Sequence, residues 1–379
     1  MESVQQLALS CGLAVARVTS VAEFDGLEAT LNDRIQAGNL SGMEWFTPDR
    51  SHVSANPLLL HPTAKSIISV GIPYYRSDIA PPADGILRGR IARYAWGRDY
   101  HKTLKQRMEA FRVVLEEAHG RPIEARLLVD TARIVDRAVA ARSGLGWYGK
   151  HTNIIVPHHG SFVMLGEMLV DIELPPDEPL RHNCGSCAIC INRCPTGAIT
   201  EPYRINAPDC ISFQTIEQRG SIPMHLRARM GNWVFGCDIC QDVCPYTGAA
   251  RSLFDDAFAP ASPDNAFPSL AWLLEMDEAA FRATYSGTTV TRTKRSGLAR
   301  NGAIAIGNSG SIDHLPVLAK TLQAHDLPLV REHAAWAVGA LGSERGQDIL
   351  RMSMKIERDE AVLVALHSAA LQLDRGPHA

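Results

Sequence analysis

The spacing of the cysteines is the feature that most constrains how this chain can fold. Of the nine cysteines, eight lie between residues 184 and 244. The first four belong to a Cys-x2-Cys-x2-Cys-x3-Cys-Pro run, formed by Cys184, Cys187, Cys190, Cys194 and Pro195. In this pattern the first three thiolates hold one [4Fe–4S] cluster and the fourth binds a second cluster. This segment is therefore predicted to fold as tight turns around two iron–sulfur clusters.

A second copy of the motif is present in split form. Cys237, Cys240, Cys244 and Pro245 repeat its end, and Cys210 replaces the missing first ligand. Reciprocal ligation assigns the thiolates to two sets, Cys184, Cys187, Cys190 and Cys244 in one and Cys194, Cys210, Cys237 and Cys240 in the other. Zinc is the alternative, but zinc sites usually combine two Cys-x2-Cys pairs. Three evenly spaced cysteines with a fourth in one tight run favour iron–sulfur clusters.

Length and composition indicate an intracellular protein of several domains. The 379 residues suffice for two or three hydrophobic cores, and the net charge of -3 gives no overall attraction to nucleic acid. The first residues have helical periodicity without a basic leader, and no apolar run approaches the ~20 residues of a membrane helix. The chain is therefore expected to be soluble and cytoplasmic, with no membrane partner and clustered cysteines that bind metal and do not form disulfides.

Three domains are predicted along the chain. Residues 1–178 alternate strand patterns (66–73, 126–130, 153–157, 161–165) with helical patterns (100–119, 134–143), which predicts an α/β domain. The proline-rich segment 174–180 separates it from a ferredoxin-type domain over 179–250. In the remainder, 251–379, residues 301–310 align with 333–342 at an offset of 32, and a third helical pattern covers 361–373. A period of this length predicts HEAT-like helical repeats.

Two motifs of the first domain invite a functional interpretation. Asp130 ends a predicted strand, where a carboxylate can face a site and act as an acid, but it can equally cap the helix that follows. Residues 144–149 fit the GxGxxG pattern. Because a predicted helix precedes them and a strand follows, the dinucleotide-binding interpretation is rejected. The loop leaves Lys150 available either for an anionic group or for solvent.

A stretch without acidic residues has two interpretations, a nucleic-acid contact and a solvated surface. Residues 279–312 contain no Asp or Glu, and their basic residues include Arg292, Lys294, Arg295 and Arg300. Such a stripe beside a helical repeat is typical of a phosphate-binding surface, although many charged stripes are simply solvated. Both interpretations stay open at this point.

The chain resembles the epoxyqueuosine reductases, which act in queuosine synthesis in tRNA. The resemblance is carried by RYAWGRDYH at 93–101, VDT at 129–131, GLGWYGK at 144–150, GSFVMLGE at 160–167 and the split cysteine motif. It extends into the C-terminal helices through residues 300–301 and 333–337. It implies reduction of epoxyqueuosine at the wobble position of the anticodon, with tRNA and an external electron donor as partners and a chain that acts as a monomer.

The resemblance also implies a cofactor and a set of site residues. Cobalamin is expected in the α/β domain beside one cluster, without a protein ligand to cobalt. Asp130 matches the family's VD[ST] position and is expected to be the proton donor. The expected cobalamin contacts are Asp130, Lys150, Ile154, Leu165, Ser212 and Asp238.

Two other functions are weighed against this one. The chain could be a corrinoid iron–sulfur reductase for a small molecule, such as a dehalogenase, but that function does not require a basic helical-repeat tail. It could also be a ferredoxin-like electron carrier on a HEAT scaffold, which leaves the first 178 residues unexplained.

Overall fold

The computed structural model describes residues 3–248 and 255–374. The chain divides into two compact units, each built from separate segments. The first comprises residues 1–77, 97–208 and 238–259, and the second comprises 78–96, 209–237 and 260–379. The division into three consecutive domains stays a prediction.

The regular elements follow in chain order. The strands are β1 (Val15–Ser20), β2 (Ser66–Pro73), β3 (Arg90–Ile91), β4 (Ala125–Leu128), β5 (Trp147–Tyr148), β6 (Ile154–Ile155), β7 (Val163–Val170), β8 (Ile199–Glu201), β9 (Arg204–Ile205) and β10 (Trp233–Phe235). The helices are α1 (Val4–Ser10), α2 (Leu27–Gln36), α3 (Pro48–Ala55), α4 (Tyr100–His119), α5 (Asp136–Arg142), α6 (Ile189–Arg193), α7 (Ile211–Ile216), α8 (Met224–Arg227), α9 (Ile239–Asp242), α10 (Pro245–Gly248), α11 (Pro263–Ala266), α12 (Leu270–Glu275), α13 (Glu278–Tyr285), α14 (Lys294–Gly307), α15 (Leu315–Ala324), α16 (Pro328–Leu341), α17 (Glu344–Ile356) and α18 (Glu360–Asp374).

The first unit is built on a four-stranded sheet of order β1-β2-β7-β4, in which every neighbouring pair is antiparallel. Strand β2 is buried along its whole length because both faces of the sheet are covered. Helix α5 packs on one face, where Val139 joins Leu169 and Leu128 in an apolar cluster. On the other face, Met108 of α4 lies against Gly166, which has no side chain to obstruct the contact.

The longest helix of the first unit begins and ends where its sequence indicates. The side chain of Asp99 accepts a hydrogen bond from the backbone N–H of His101 at the start of α4, which satisfies a free donor. Gly120 ends the helix in a left-handed conformation, with φ of 66°. The prediction for residues 100–119 is therefore confirmed. Helix α5 is shorter than the predicted 134–143, because Ile134 and Val135 still belong to the preceding loop.

The second unit contains a helical stack. Helices α12, α14, α16 and α18 pack in succession, and α15 and α17 form a second row beside them. The stack is tight where residues are small, because a Cβ on Gly307 would lie 2.9 Å from the Cα of Ala337, and a Cβ on Gly339 would lie 2.9 Å from the Cβ of Ala369. These contacts explain the small residues shared by the two aligned segments. The prediction of helical repeats is confirmed.

No helix in the described part of the chain is long and apolar enough to cross a membrane.

Candidate active site

Four of the predicted cluster ligands meet around one cavity of the first unit. Cys184, Cys187, Cys190 and Cys244 line a cavity of about 190 Å³. The turn that joins the first two is closed by a hydrogen bond from the Cys187 N–H to the Cys184 carbonyl oxygen, 3.0 Å long. A single zinc ion held by four thiolates at about 2.3 Å would leave no comparable space. The arrangement therefore fits a group larger than one ion.

Pro245, Tyr246, Lys150 and His151 also line this cavity, and an apolar cluster packs behind its cysteines. Trp147 packs with Ile155 and Cys244, and the ring of Tyr246 meets the Trp147 ring edge-on with centroids 5.0 Å apart. Burial raises the pKa of the Cys190 and Cys244 thiols above their ordinary values. Free thiols are thus kept neutral here, and iron has to displace their protons. These residues fit the chemistry of an iron–sulfur cluster.

The second predicted ligand set is divided between the two units. Cys194 follows α6 and Cys240 lies in α9 of the first unit. Cys210 precedes α7 in the second unit, which also contains Cys237. The assignment of these four thiolates to one cluster stays a prediction.

Asp130 lies in a short loop between β4 and α5. Its backbone φ of 45° falls in the left-handed region, which residues other than glycine rarely adopt. It does not cap the following helix, since Val135 is the N-cap residue and no side chain caps that end. Its own side chain is 55% exposed. The structure therefore removes the capping interpretation and leaves the carboxylate accessible.

A histidine to which the sequence patterns assign no role contacts this carboxylate. His101 lies at the start of α4, and its Nε2 is 3.2 Å from Oδ2 of Asp130. Its Nδ1 is 2.8 Å from Oδ1 of Asp99. The hydrogen bond with Asp130, together with that to Asp99, raises the pKa of His101 above its ordinary value despite partial burial. A protonated His101 between these two carboxylates can hold a proton that it can transfer to Asp130.

The residues expected at cobalamin occupy different places. Ile154 is buried and Leu165 is partly buried in one apolar cluster. Asp238, which follows Cys237 in the sequence, is almost fully buried. Lys150 lines the cysteine cavity, and its Nζ donates to the carbonyl oxygen of Gly185 at 2.7 Å. Ser212 is partly buried in the second unit. Of these residues, Lys150 lies at the cysteine cavity while Ile154 and Leu165 lie in a packed apolar cluster, and their contact with cobalamin stays a prediction.

The four basic residues expected at nucleic acid differ in accessibility. Lys294 is exposed at the first position of α14. Arg292 is 45% exposed and forms an ion pair with Glu217. Arg295 is 12% exposed and pairs with Asp326. Lys294 can thus reach a phosphate directly, while Arg292 and Arg295 would have to exchange their acidic partners.

Arg300 is placed for a different role. It is fully buried, and its guanidinium donates to the carbonyl oxygens of Gln214, Gln218 and Gly220 at 2.7–2.8 Å. A buried guanidinium with these partners cannot contact a phosphate, so we remove Arg300 from the proposed contact surface. The sequence shows the charge of Arg300 but not that backbone carbonyl oxygens accept its hydrogen bonds inside the protein.

We predict that Arg300→Met lowers the free energy of unfolding by roughly 3–5 kcal/mol, because the carbonyl oxygens of Gln214, Gln218 and Gly220 lose a fully buried donor. Arg282→Met is the matched control, since that side chain is 75% exposed, and it should change stability by no more than about 0.5 kcal/mol. Denaturant unfolding measures both. Equal stability of the two variants would contradict the structural role of Arg300.

The fold and the cysteine site together define an iron–sulfur oxidoreductase that carries helical repeats. Residues 183–247 match the model of the 4Fe-4S double cluster binding domain, and residues 294–370 match HEAT repeats. Residues 55–131, which include Asp130 and His101, match the model described as epoxyqueuosine reductase QueG.

Curated relatives cover nearly the whole chain. The epoxyqueuosine reductase of Escherichia coli (strain K12) is 34% identical over 355 residues, 93% of this chain and 92% of its own length. That of Bacillus subtilis (strain 168) is 33% identical over 377 residues, 99% of this chain and 94% of its own. The chain therefore belongs to the epoxyqueuosine reductase family.

Solved structures agree with this assignment. A crystal structure of epoxyqueuosine reductase with a tRNA-Tyr epoxyqueuosine-modified stem loop has a TM-score of 0.90 at 32% identity and covers 98% of both chains. A Bacillus subtilis structure, in which the aspartate catalytic loop is swung out of the active site, has a TM-score of 0.89 at 31% identity, again with 98% coverage of both chains.

Proposed function

We propose that this protein reduces epoxyqueuosine to queuosine in the tRNA anticodon and that Asp130 delivers the proton. The observation that carries the role of Asp130 is its exposed carboxylate in contact with His101. The two alternatives weighed from the sequence, a small-molecule dehalogenase and an electron carrier, are set aside by the family assignment. Incubation of the reduced protein with epoxyqueuosine-containing tRNA, followed by mass spectrometry of the nucleosides, tests the activity.

The cofactors are two [4Fe–4S] clusters and cobalamin. Cys184, Cys187, Cys190 and Cys244 would hold one cluster, and Cys194, Cys210, Cys237 and Cys240 the other. Ile154, Leu165 and Lys150 would contact cobalamin in the first unit, with Ser212 and Asp238 as further contacts. When bound and reduced through the clusters, cobalamin supplies the electrons for removing the epoxide oxygen.

The chain's own residues supply protons to the leaving oxygen. The oxygen leaves as water, so protons must arrive in the same number as electrons. Asp130 presents a carboxyl oxygen to the substrate, and Nε2 of His101 lies within hydrogen-bonding distance behind it. Asp99 holds the other ring nitrogen and so orients the imidazole. Proton transfer would run from His101 Nε2 to Asp130 Oδ2 and then to the substrate.

This relay predicts a pH dependence. The pKa of His101 is raised, so the ring keeps its proton below that value and loses it as the pH rises through it. Turnover should therefore be highest at pH values below the raised pKa of His101 and decline as the pH rises through it. His101→Gln should lower turnover and remove this decline. A pH–rate profile of His101→Gln that retains the wild-type decline would exclude His101 as the titrating group.

The start of α14 supports contact with the tRNA backbone. Lys294 and Arg295 open this 14-residue helix, whose first turn contains no acidic residue. Cations are unfavourable at the positive end of a helix unless an anion lies nearby, and a phosphate would compensate both the helix end and the charges. Arg292 and Lys294 are the exposed members of this surface.

Lys294→Ala should weaken binding of undermodified tRNA a few-fold and reduce the slope of log affinity against log salt by about 1. Lys355→Ala, which removes an exposed lysine near the end of α17, is the control. Binding titrations at several salt concentrations measure both slopes. Identical slopes for the wild type and Lys294→Ala would contradict the contact.

The remaining partners follow from the reaction. An external donor has to reduce the clusters, and the chain would act as a monomer on the anticodon arm. Since tRNA is the substrate, we place the activity in the cytoplasm.

A further inference from the structure

A fully buried glutamate lies in the middle of the sheet of the first unit. Glu167 on β7 is 0% exposed and is paired in register with Ser69 of β2 and Leu128 of β4. Residues directly opposite in antiparallel strands place their side chains on the same face. Along β7, Leu165 and Leu169 share this face and pack with residues of α5. Apart from the buried Ser69, Glu167 therefore lies among apolar residues at the interface between the sheet and α5.

A second acidic residue meets Glu167 from the start of α5. The carboxyl groups of Asp136 and Glu167 are neighbours, and their interaction shifts the pKa of both. Within the described ranges, no donor of another kind reaches Oδ1 of Asp136 or either carboxyl oxygen of Glu167. Burying ionised carboxylates without a donor is highly unfavourable. Two carboxyl groups can satisfy each other only when one of them holds a proton.

The electrostatic environment decides which group holds the proton. Burial raises the pKa of Glu167 well above its ordinary value, and the neighbouring Asp136 raises it further. Burial also raises the pKa of Asp136, but only to about 6, because the hydrogen bond from Glu167 stabilises its charge. Glu167 is thus the donor and Asp136 the acceptor.

The arginines near Asp136 and Glu167 do not supply the hydrogen-bond donors that these two carboxyl groups lack. Arg137 favours the ionised form of Asp136, and Arg50 interacts with the same carboxylate. Both guanidinium groups already donate to backbone oxygens, that of Arg50 to Ala132 at 2.8 Å and that of Arg137 to Thr152 at 3.0 Å.

The pair is linked to the loop that carries Asp130. The backbone N–H of Asp130 donates to the Asp136 carboxylate. Asp130 has a backbone φ of 45°, which is unfavourable for any residue other than glycine. The hydrogen bond therefore helps to hold Asp130 in a conformation that it would otherwise leave.

We propose that Glu167 keeps its proton at neutral pH, donates it in a hydrogen bond to Asp136, and thereby fixes the loop that presents Asp130. Asp136 and Glu167 are positioning residues, and their effect on turnover rests on the proposed function of Asp130. The proton is held in the resting protein and is not consumed in the reaction.

Infrared spectroscopy of the full-length protein tests whether the proton is held. The wild type at neutral pH should show the C=O stretching band of a protonated carboxylic acid, shifted in D₂O. Glu167→Gln should lose this band, since an amide donates to Asp136 without a titratable proton. Absence of the band in the wild type, or its persistence in Glu167→Gln, would overturn the proposal.

Amide hydrogen exchange over residues 129–133 tests the positioning. Asp136→Ala and Glu167→Leu should increase exchange there by about tenfold or more, whereas Glu167→Gln keeps the wild-type protection. Turnover should follow the same order, with kcat reduced and KM unchanged in the first two variants. Equal exchange in all variants would refute the positioning role, and if Glu167→Leu does not fold, Asp136→Ala and Glu167→Gln decide. Infrared and exchange measurements need no tRNA, so failure of the proposed reductase activity would leave them unaffected.

Discussion

Asp130→Asn should reduce turnover of epoxyqueuosine-containing tRNA by about 10²–10⁴-fold, the usual contribution of a general acid. Asparagine has nearly the same shape and can still accept a hydrogen bond from His101 at 3.2 Å, so the loop and the histidine should stay in place. What is lost is an acidic proton at the exposed end of the relay. Single-turnover assays with the reduced protein measure the effect without interference from product release.

The controls separate proton delivery from other losses. Asp313→Asn changes an exposed carboxylate in the second unit and should leave turnover unchanged. The affinity of Asp130→Asn for tRNA and its visible absorption should match those of the wild type, because neither depends on that proton. Near-wild-type turnover by Asp130→Asn would remove Asp130 from the mechanism.

Cys244→Ala is expected to abolish turnover. Cys244 lines the cavity shared with Cys184, Cys187 and Cys190, and a cluster with one thiolate missing is no longer held at all four corners. About half of the iron and acid-labile sulfide should be lost, since the proposed second cluster uses other cysteines. Without an intact path for electrons the reaction cannot begin, even when the tRNA binds normally.

Cys11→Ala provides the matched control for this loss. Cys11 lies at the end of α1, outside both predicted ligand sets, so its removal should change neither iron content nor turnover. Anaerobic purification followed by iron and sulfide analysis distinguishes the variants. Full iron content in Cys244→Ala, or stoichiometric zinc in the wild type, would contradict the assignment of this cavity to a cluster.

Local patterns predicted the regular elements best. The prediction for α4 was accurate because apolar residues repeat along it and Gly120 marks its end. Strand β7 extends to Val170, beyond the predicted 161–165, because Gly166 and Glu167 interrupt the apolar run that signals a strand. Strand prediction assumes that buried positions are apolar, and the buried carboxyl group of Glu167 in the centre of the sheet is an exception.

The candidate site was harder to predict where it depends on distant residues. His101 and Asp130 are 29 positions apart, and no local pattern indicates that their side chains meet. Arg300 was misjudged for the same reason, since its three carbonyl partners lie about 80 residues earlier in the chain. The cysteines could be assigned because the thiolate spacing itself encodes the cluster geometry.

Because Cys244 lies with Cys184, Cys187 and Cys190 around one cavity, a bound metal group should also affect the stability of the protein against degradation. A metal group bridging these positions closes a long stretch of polypeptide into a covalent ring, and such cross-links stabilise the native state by restricting the denatured chain, by roughly 4 kcal/mol in the loop-entropy model. Iron starvation or oxidative damage would open that ring. The supply of iron would then govern the abundance of the protein as well as its activity, because chains without the metal would be left to proteolysis.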